Sequence, residues 1–141
     1  MPTRADIRIA YRLCHYCVET PTGVLLLRVG QASAGLDSLL HDDGARAAAV
    51  ITASNPRSRR LPTQENARRH ELLLARLPAG SRVLPTVAQD PHGKWPDEHG
   101  LLAWGLSRDE AIGIASAFDQ HALLWCEAGE PVQLLWTGER P

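Results

Sequence analysis

Residues 47–69, AAAVITASNPRSRRLPTQENARR, decide the fold. Ala47 to Thr52 is an unbroken apolar run of strand length, which predicts a buried central strand. The run ends in Thr52, Asn55 and Pro56, passes a basic loop and reopens as a helix after Pro62, with Thr63 as the expected N-cap. This succession places polar groups and free backbone N–H groups at one edge of a core. Arg57, Arg59, Arg60, Arg68 and Arg69 stand there against Glu65 alone. A polar or anionic small molecule is the ligand such a stretch favours.

Working outward, Ile7, Ile9, Tyr11 and Leu13 alternate and continue through His15 and Cys17, so residues 6–18 are expected as a strand. It pairs with residues 24–29 across a hairpin at Pro21, Thr22 and Gly23. Leu36, Leu39 and Leu40 follow Ser33 at helical spacing and stop near Asp43 and Gly44. The helix from Thr63 carries Leu73, Leu74 and Leu77 as its core stripe and ends before Pro78 and Gly80. Val83 to Val87 reads as a short strand, and residues 89–100, rich in Pro and Gly, as a loop. Ser107 with Glu110 makes a capping box for a helix through Phe118, whose buried stripe is Ala111, Ile114, Ala115 and Phe118. Residues 122–127 and 132–136 close the chain as a hairpin, with Trp125 and Trp136 packing across it. The string ββαβαβαββ predicts a single α+β domain over residues 1–141, with a mixed, mainly antiparallel sheet and about three helices.

A chain of 141 residues, 44% hydrophobic and 22% charged, has ordinary globular composition. No apolar run is long enough to span a bilayer, and MPTRADIRIAYR lacks the apolar core of a secretory signal, so no membrane association and a cytoplasmic setting are expected. A net charge of -1 argues against a general nucleic-acid coat. Three cysteines make no disulfide framework. Cys14 and Cys17 spell a C-x-x-C, but on an expected strand they face opposite ways, and a redox pair needs a strand-to-helix turn. No metal and no cofactor are expected, and the oligomeric state is not legible.

On a helical wheel Asn66, Arg69 and His70 share the face of Leu73 and Leu77, so they either seal the core against loop carbonyls or line a pocket with Thr52 and Asn55. The segment DPHGKWPDEHG adds Asp90 and Glu98 as candidate catalytic acids or bases. Trp95 beside them is either a plug under the loop or a stacking platform.

The TASNP turn at Thr52 to Pro56, Asn66 after Thr63, the Asp90 to Glu98 loop with Trp95, and Phe118, Asp119, Gln120, His121, Ala122 together resemble the bacterial DUF3293 family. This sequence departs from that pattern at Ser54, where an aromatic is usual, and at His99, near a usual Ser. The resemblance implies no activity. It marks Thr52, Asn55, Asn66, Asp90, Glu98 and Gln120 as polar positions that recur in separate loops, and such loops converging on one place would make a site.

Three classes of function follow. The first is a small-ligand domain, in which Arg57, Arg59, Arg60 or Arg69 neutralise an anion while Thr52, Asn55, Asn66 and Gln120 orient it and Trp95 adds a wall. The second is an enzyme using Glu98 or Asp90 as acid or base in the same pocket, although no named reaction motif is present. The third is a nucleic-acid or protein interaction module using the Arg57–Arg60 loop.

Overall fold

A computed structural model of the chain describes residues 3–138. Helix α1 (Arg4–Leu13) comes first, followed by strands β1 (His15–Thr20) and β2 (Gly23–Leu27), helix α2 (Ala34–Asp42) and strand β3 (Ala47–Thr52). A 3-10 turn (Pro56–Ser58) leads to helix α3 (Thr63–Arg76), strands β4 (Arg82–Gln89) and β5 (Glu98–Trp104), helix α4 (Arg108–Ala117), and strands β6 (Ala122–Glu127) and β7 (Gln133–Trp136). The seven strands form one sheet in the order β2-β1-β4-β5-β3-β6-β7. Every pair of neighbouring strands is antiparallel, and an isolated parallel bridge joins Val29 and Val132. The α+β class is as expected, with four α-helices among the described residues rather than about three.

The extra helix corrects the strand expected over residues 6–18. Ile7, Ile9, Tyr11 and Leu13 satisfy the strand period, but Ile7, Tyr11 and Cys14 also satisfy the helical one. The N-terminal cap decides between them: Thr3 Oγ1 accepts from the Asp6 N–H, and the Asp6 carboxylate accepts from the Thr3 N–H. The strand begins only at His15. The hairpin between β1 and β2 turns at Pro21 and Thr22, with Thr20 opposite Gly23.

The second correction is β5 itself, a seventh strand where the expected string has six; its first residues, Glu98, His99 and Gly100, fall in the expected loop. They pair with Ala88, Val87 and Thr86 of β4. Gly100 is in the strand because nothing larger fits. A Cβ there would lie 2.7 Å from the Ile51 carbonyl oxygen and 3.1 Å from Thr86 Oγ1. On α3, Pro62 occupies the N-cap without a side-chain hydrogen bond, so Thr63 is the first helical residue rather than the cap. Leu73 alone of α3 is fully buried, and Leu74 is exposed. Trp125 and Trp136 lie opposite Gln133 and Ala122 rather than each other, and Trp136 meets Tyr11 edge-on at 6.5 Å.

Alternation along the strands makes two cores. On one face Ile51, Leu101, Ala103, Leu123 and Trp125 pack against Leu73 of α3 and Ala111, Ile114 and Ala115 of α4. On the other, Val18, Val50, Leu102 and Leu124 pack against Leu36 and Leu40 of α2, while Tyr11 and Cys14 lean in from α1 and its C-terminal cap. Helix α2 is only nine residues long and covers part of that face. Helix α1 lies over the rest without burying any of its own residues completely.

Candidate functional site

Between α1 and the sheet lies a cavity of about 540 Å³, within the range of small-molecule sites. Strand register explains its floor. Tyr16, Ala88 and Glu98 form one row across β1, β4 and β5, and Thr86, Gly100 and Thr52 form the next across β4, β5 and β3. Ala88, Thr86 and side-chain-free Gly100 leave space where bulkier residues would meet α1.

The wall beside β5 is built from a closed set of hydrogen bonds. Asn66 Oδ1 accepts from the Asn55 backbone N–H (2.9 Å), and Asn66 Nδ2 donates to Asn55 Oδ1 (2.9 Å) and to the Leu61 carbonyl (3.3 Å). Asn55 Oδ1 also accepts from the Leu61 N–H at 2.9 Å. Since backbone N–H groups can only donate, both amide orientations are fixed, and Asn55 Nδ2 must point outward as a donor. It donates to Glu98 Oε2 at 2.8 Å. The pair also holds a strained loop, with positive φ at Asn55 (49°), Arg57 (52°) and Ser58 (61°); such angles cost on the order of 1 kcal/mol each outside glycine.

Trp95 Nε1 donates to the same Glu98 Oε2, also at 2.8 Å. Asp90 sets that indole in place: its carboxylate accepts the backbone N–H groups of His92, Lys94 and Trp95 (2.9–3.1 Å). Those bonds hold the Asp90 pKa below its ordinary value, first through His92. Glu98 goes the other way. Burial raises its pKa above the ordinary glutamate value, against the opposing pull of Asn55 and Trp95. Both donors occupy Oε2, and no described residue donates to Oε1. A proton on Glu98 therefore resides on Oε1. Burial first, then neighbours including Glu98, raises the pKa of Tyr11 and Tyr16 on this cavity, and burial pushes the Cys14 thiol up to about 12.

Of the residues singled out in the sequence, Thr52, Asn55, Asp90, Trp95, Glu98 and Gln120 line this one cavity. Thr52 Oγ1 donates to the His99 carbonyl and accepts from the Ser54 N–H; Gln120 Nε2 donates to the Ser54 carbonyl at 3.0 Å. Asn66, Arg69 and Arg57 lie outside it. Arg69 is spent on the carbonyls of Ala53 and Phe118, so it seals the core as one of its two expected roles required. Arg57 is exposed and 3.5 Å from Asp119. Arg60 donates to the Lys94 carbonyl and lies 4.8 Å above the Trp95 ring.

This polar network coincides with a known sequence signature. A family model described as "Protein of unknown function (DUF3293)" matches residues 51–123. The chain belongs to the DUF3293 family. No curated protein and no solved structure matches it significantly. The DUF3293 segment contains Asn55, Asn66, Asp90, Trp95, Glu98 and Gln120 and stops short of α1, β1 and β2. The signature thus covers the polar wall and floor of the cavity, while Tyr11, Cys14 and Tyr16 complete it from outside.

Tyr11 and Cys14 escape the sequence reading because a strand is expected where α1 and its cap lie, and Tyr16 because nothing in β1 alone shows which of its faces meets a cavity. The signal was present: Thr3 and Asp6 at capping-box spacing, followed by Ile7, Tyr11 and Cys14 on one helical face. Among the described residues no three or more His, Cys, Asp or Glu side chains are grouped to hold a metal ion. No described helix is long and apolar enough to cross a membrane.

Proposed function

We propose that the protein is a small-ligand-binding domain whose site is the cavity between α1 and the sheet, and that it works in the cytoplasm, where its three free cysteines stay reduced. The observation that carries this reading is a cavity of about 540 Å³ with a mostly apolar lining and, on one wall, a half-buried carboxyl oriented by two donors. A few placed polar groups in an apolar concavity is the ordinary composition of a ligand site. The ligand is polar at the end that meets Glu98 and apolar elsewhere. The arginines of the TASNP loop do not favour an anion inside the cavity, because Arg69 is occupied by carbonyls and Arg57 faces Asp119.

A second reading, acid–base catalysis on the bound molecule, is supported by the single oxygen at which Glu98 can hold a proton. The interaction-module reading has less support, since the Trp95 face that a base would stack on carries Arg60.

The test is a titration with N-phenyl-1-naphthylamine, a neutral probe that brightens in apolar sites. Saturable 1:1 brightening that is lost in Ala88→Leu, a variant that fills the floor, supports the reading. Brightening that persists in a folded Ala88→Leu protein, or no brightening at all, refutes it.

A further inference from the structure

The polar end of the ligand is constrained further by what Glu98 lacks. A carboxylate removed from water is normally matched by a cation or kept protonated. The two partners of Glu98, the Asn55 amide and the Trp95 indole, are neutral and share Oε2. Among the described residues no Lys, Arg or His forms an ion pair with it; Arg57 pairs with Asp119 and Arg82 with Asp43. Its side of the cavity therefore holds one half-buried acidic group with an unused oxygen and no ion-pair partner.

The surroundings suit a positive guest. Tyr11, Tyr16 and Trp95 line the same cavity, and the negative faces of aromatic rings attract ammonium groups, most strongly where water is excluded. Trp95 already behaves this way toward Arg60, 4.8 Å from its ring. The cavity also draws on the carboxylates of Asp6 and Asp90, against the ammonium of Lys94 and the imidazoles of His92 and His121. A carboxylate or phosphate guest would instead meet Glu98 with like charge, at a distance where repulsion is large in a low-dielectric site.

We propose that the cavity binds an organic ammonium ion, a protonated amine on an apolar body, with an N–H donated to Glu98 Oε1 and the aromatic side chains around the charged end. The assignment rests on the cavity reading above and goes beyond it by naming the charge of the ligand. Glu98 is the counter-ion, Asn55 and Trp95 hold its other oxygen, and the Asn55–Asn66 pair fixes the donor direction of Asn55.

The experiment compares three probes of nearly equal shape, benzylammonium, benzyl alcohol and benzoate, at pH 7 by 1H–15N NMR. The Trp95 indole resonance, assigned with Trp95→Phe, is the reporter. Wild-type protein should bind benzylammonium roughly tenfold or more tightly than benzyl alcohol, the scale of one charge-assisted contact, and benzoate most weakly. Glu98→Gln should bring the first two close to parity, and Ala88→Leu should weaken both. Benzyl alcohol binding as tightly as benzylammonium in the wild type, with both lost in Ala88→Leu, overturns the cation assignment and leaves the cavity site standing. A preference for benzylammonium that survives Glu98→Gln also overturns it. Binding by none of the probes, or binding indifferent to Ala88→Leu, overturns both. The wild-type comparison decides the charge question by itself if Glu98→Gln fails to fold.

Discussion

Asn66→Ala probes the link between fold and site most directly. The substitution removes one acceptor and one donor group that together make three hydrogen bonds, to the Asn55 N–H, Asn55 Oδ1 and the Leu61 carbonyl. Asn55 Oδ1 retains the Leu61 N–H, and the Leu61 carbonyl loses only its longest partner. The chief loss is the Asn55 N–H, which becomes a largely buried donor without an acceptor. An unmet group of this kind costs about 1–3 kcal/mol, and the remaining bonds add roughly 1 kcal/mol, for a total of about 2–4 kcal/mol. At roughly 3 °C per kcal/mol for a chain of this size, the melting temperature should fall by about 6–12 °C. Urea unfolding with an unchanged m-value gives the free energy independently. Asn66→Asp should be nearly as damaging, because it restores the acceptor but sets a carboxylate oxygen against Asn55 Oδ1. A loss below about 1 kcal/mol in Asn66→Ala, or an Asn66→Asp variant as stable as wild type, would refute the account of the pair as a directional lock.

Four further outcomes are expected. Burial raises the pKa of Glu98 in the folded state above its ordinary 4.5, so its contribution to stability is full below that value and is lost as pH rises through the folded pKa. Wild type should therefore lose stability relative to Glu98→Gln as pH rises from the ordinary glutamate value through the raised folded one, and a pH-independent difference in melting temperature would contradict this. Gly100→Ala should destabilise by about 1–3 kcal/mol through overpacking, since its Cβ would sit against the backbone oxygen of Ile51; chemical denaturation tests it, and a neutral outcome would mean the strands separate easily there. Asp90→Ala should leave the core intact but broaden or shift the Trp95 indole resonance, because three backbone N–H groups lose their common acceptor; an unmoved resonance would show that Glu98 alone positions Trp95. In native protein Ellman's reagent should label Cys17 faster than buried Cys126 and than Cys14, whose thiol is pushed up to about 12, and a Cys17→Ser variant that reacts as fast as wild type would exclude this order.

Much of the sheet was legible because its strands carry simple signals. The apolar run at Ala47–Thr52 and the final hairpin were readable to within a residue, and Ser33 and the Ser107–Glu110 capping box marked two helix starts. The failures share a physical cause. Residues 7–13 satisfy two periodicities, and only the side-chain exchange between Thr3 and Asp6 separates them. Glu98 and Gly100 look like loop residues because the start of β5 lines a cavity, whereas Leu101 to Trp104 enter the packed cores, so the composition of the first part follows the site and not the sheet. Five of the six polar positions singled out, Thr52, Asn55, Asp90, Glu98 and Gln120, line one cavity and Asn66 stands behind its wall, but partner choice was hidden: nothing local in the sequence shows that Arg69 would spend its donors on Ala53 and Phe118.

The placement of α1 separates two quantities that a melting curve merges. Its first turn is secured by a local cap, and no residue of the helix is fully buried, so undocking it exposes little apolar surface compared with unfolding the sheet. Local openings of this kind have free energies far below the global one. Backbone amides of Arg8 to Leu13 should exchange with deuterium well before those of β3 and β5, and should slow when the cavity is filled. Amide exchange in this one helix thus reports occupancy of the space beneath it, at a cost in free energy that the melting temperature of the whole molecule does not register.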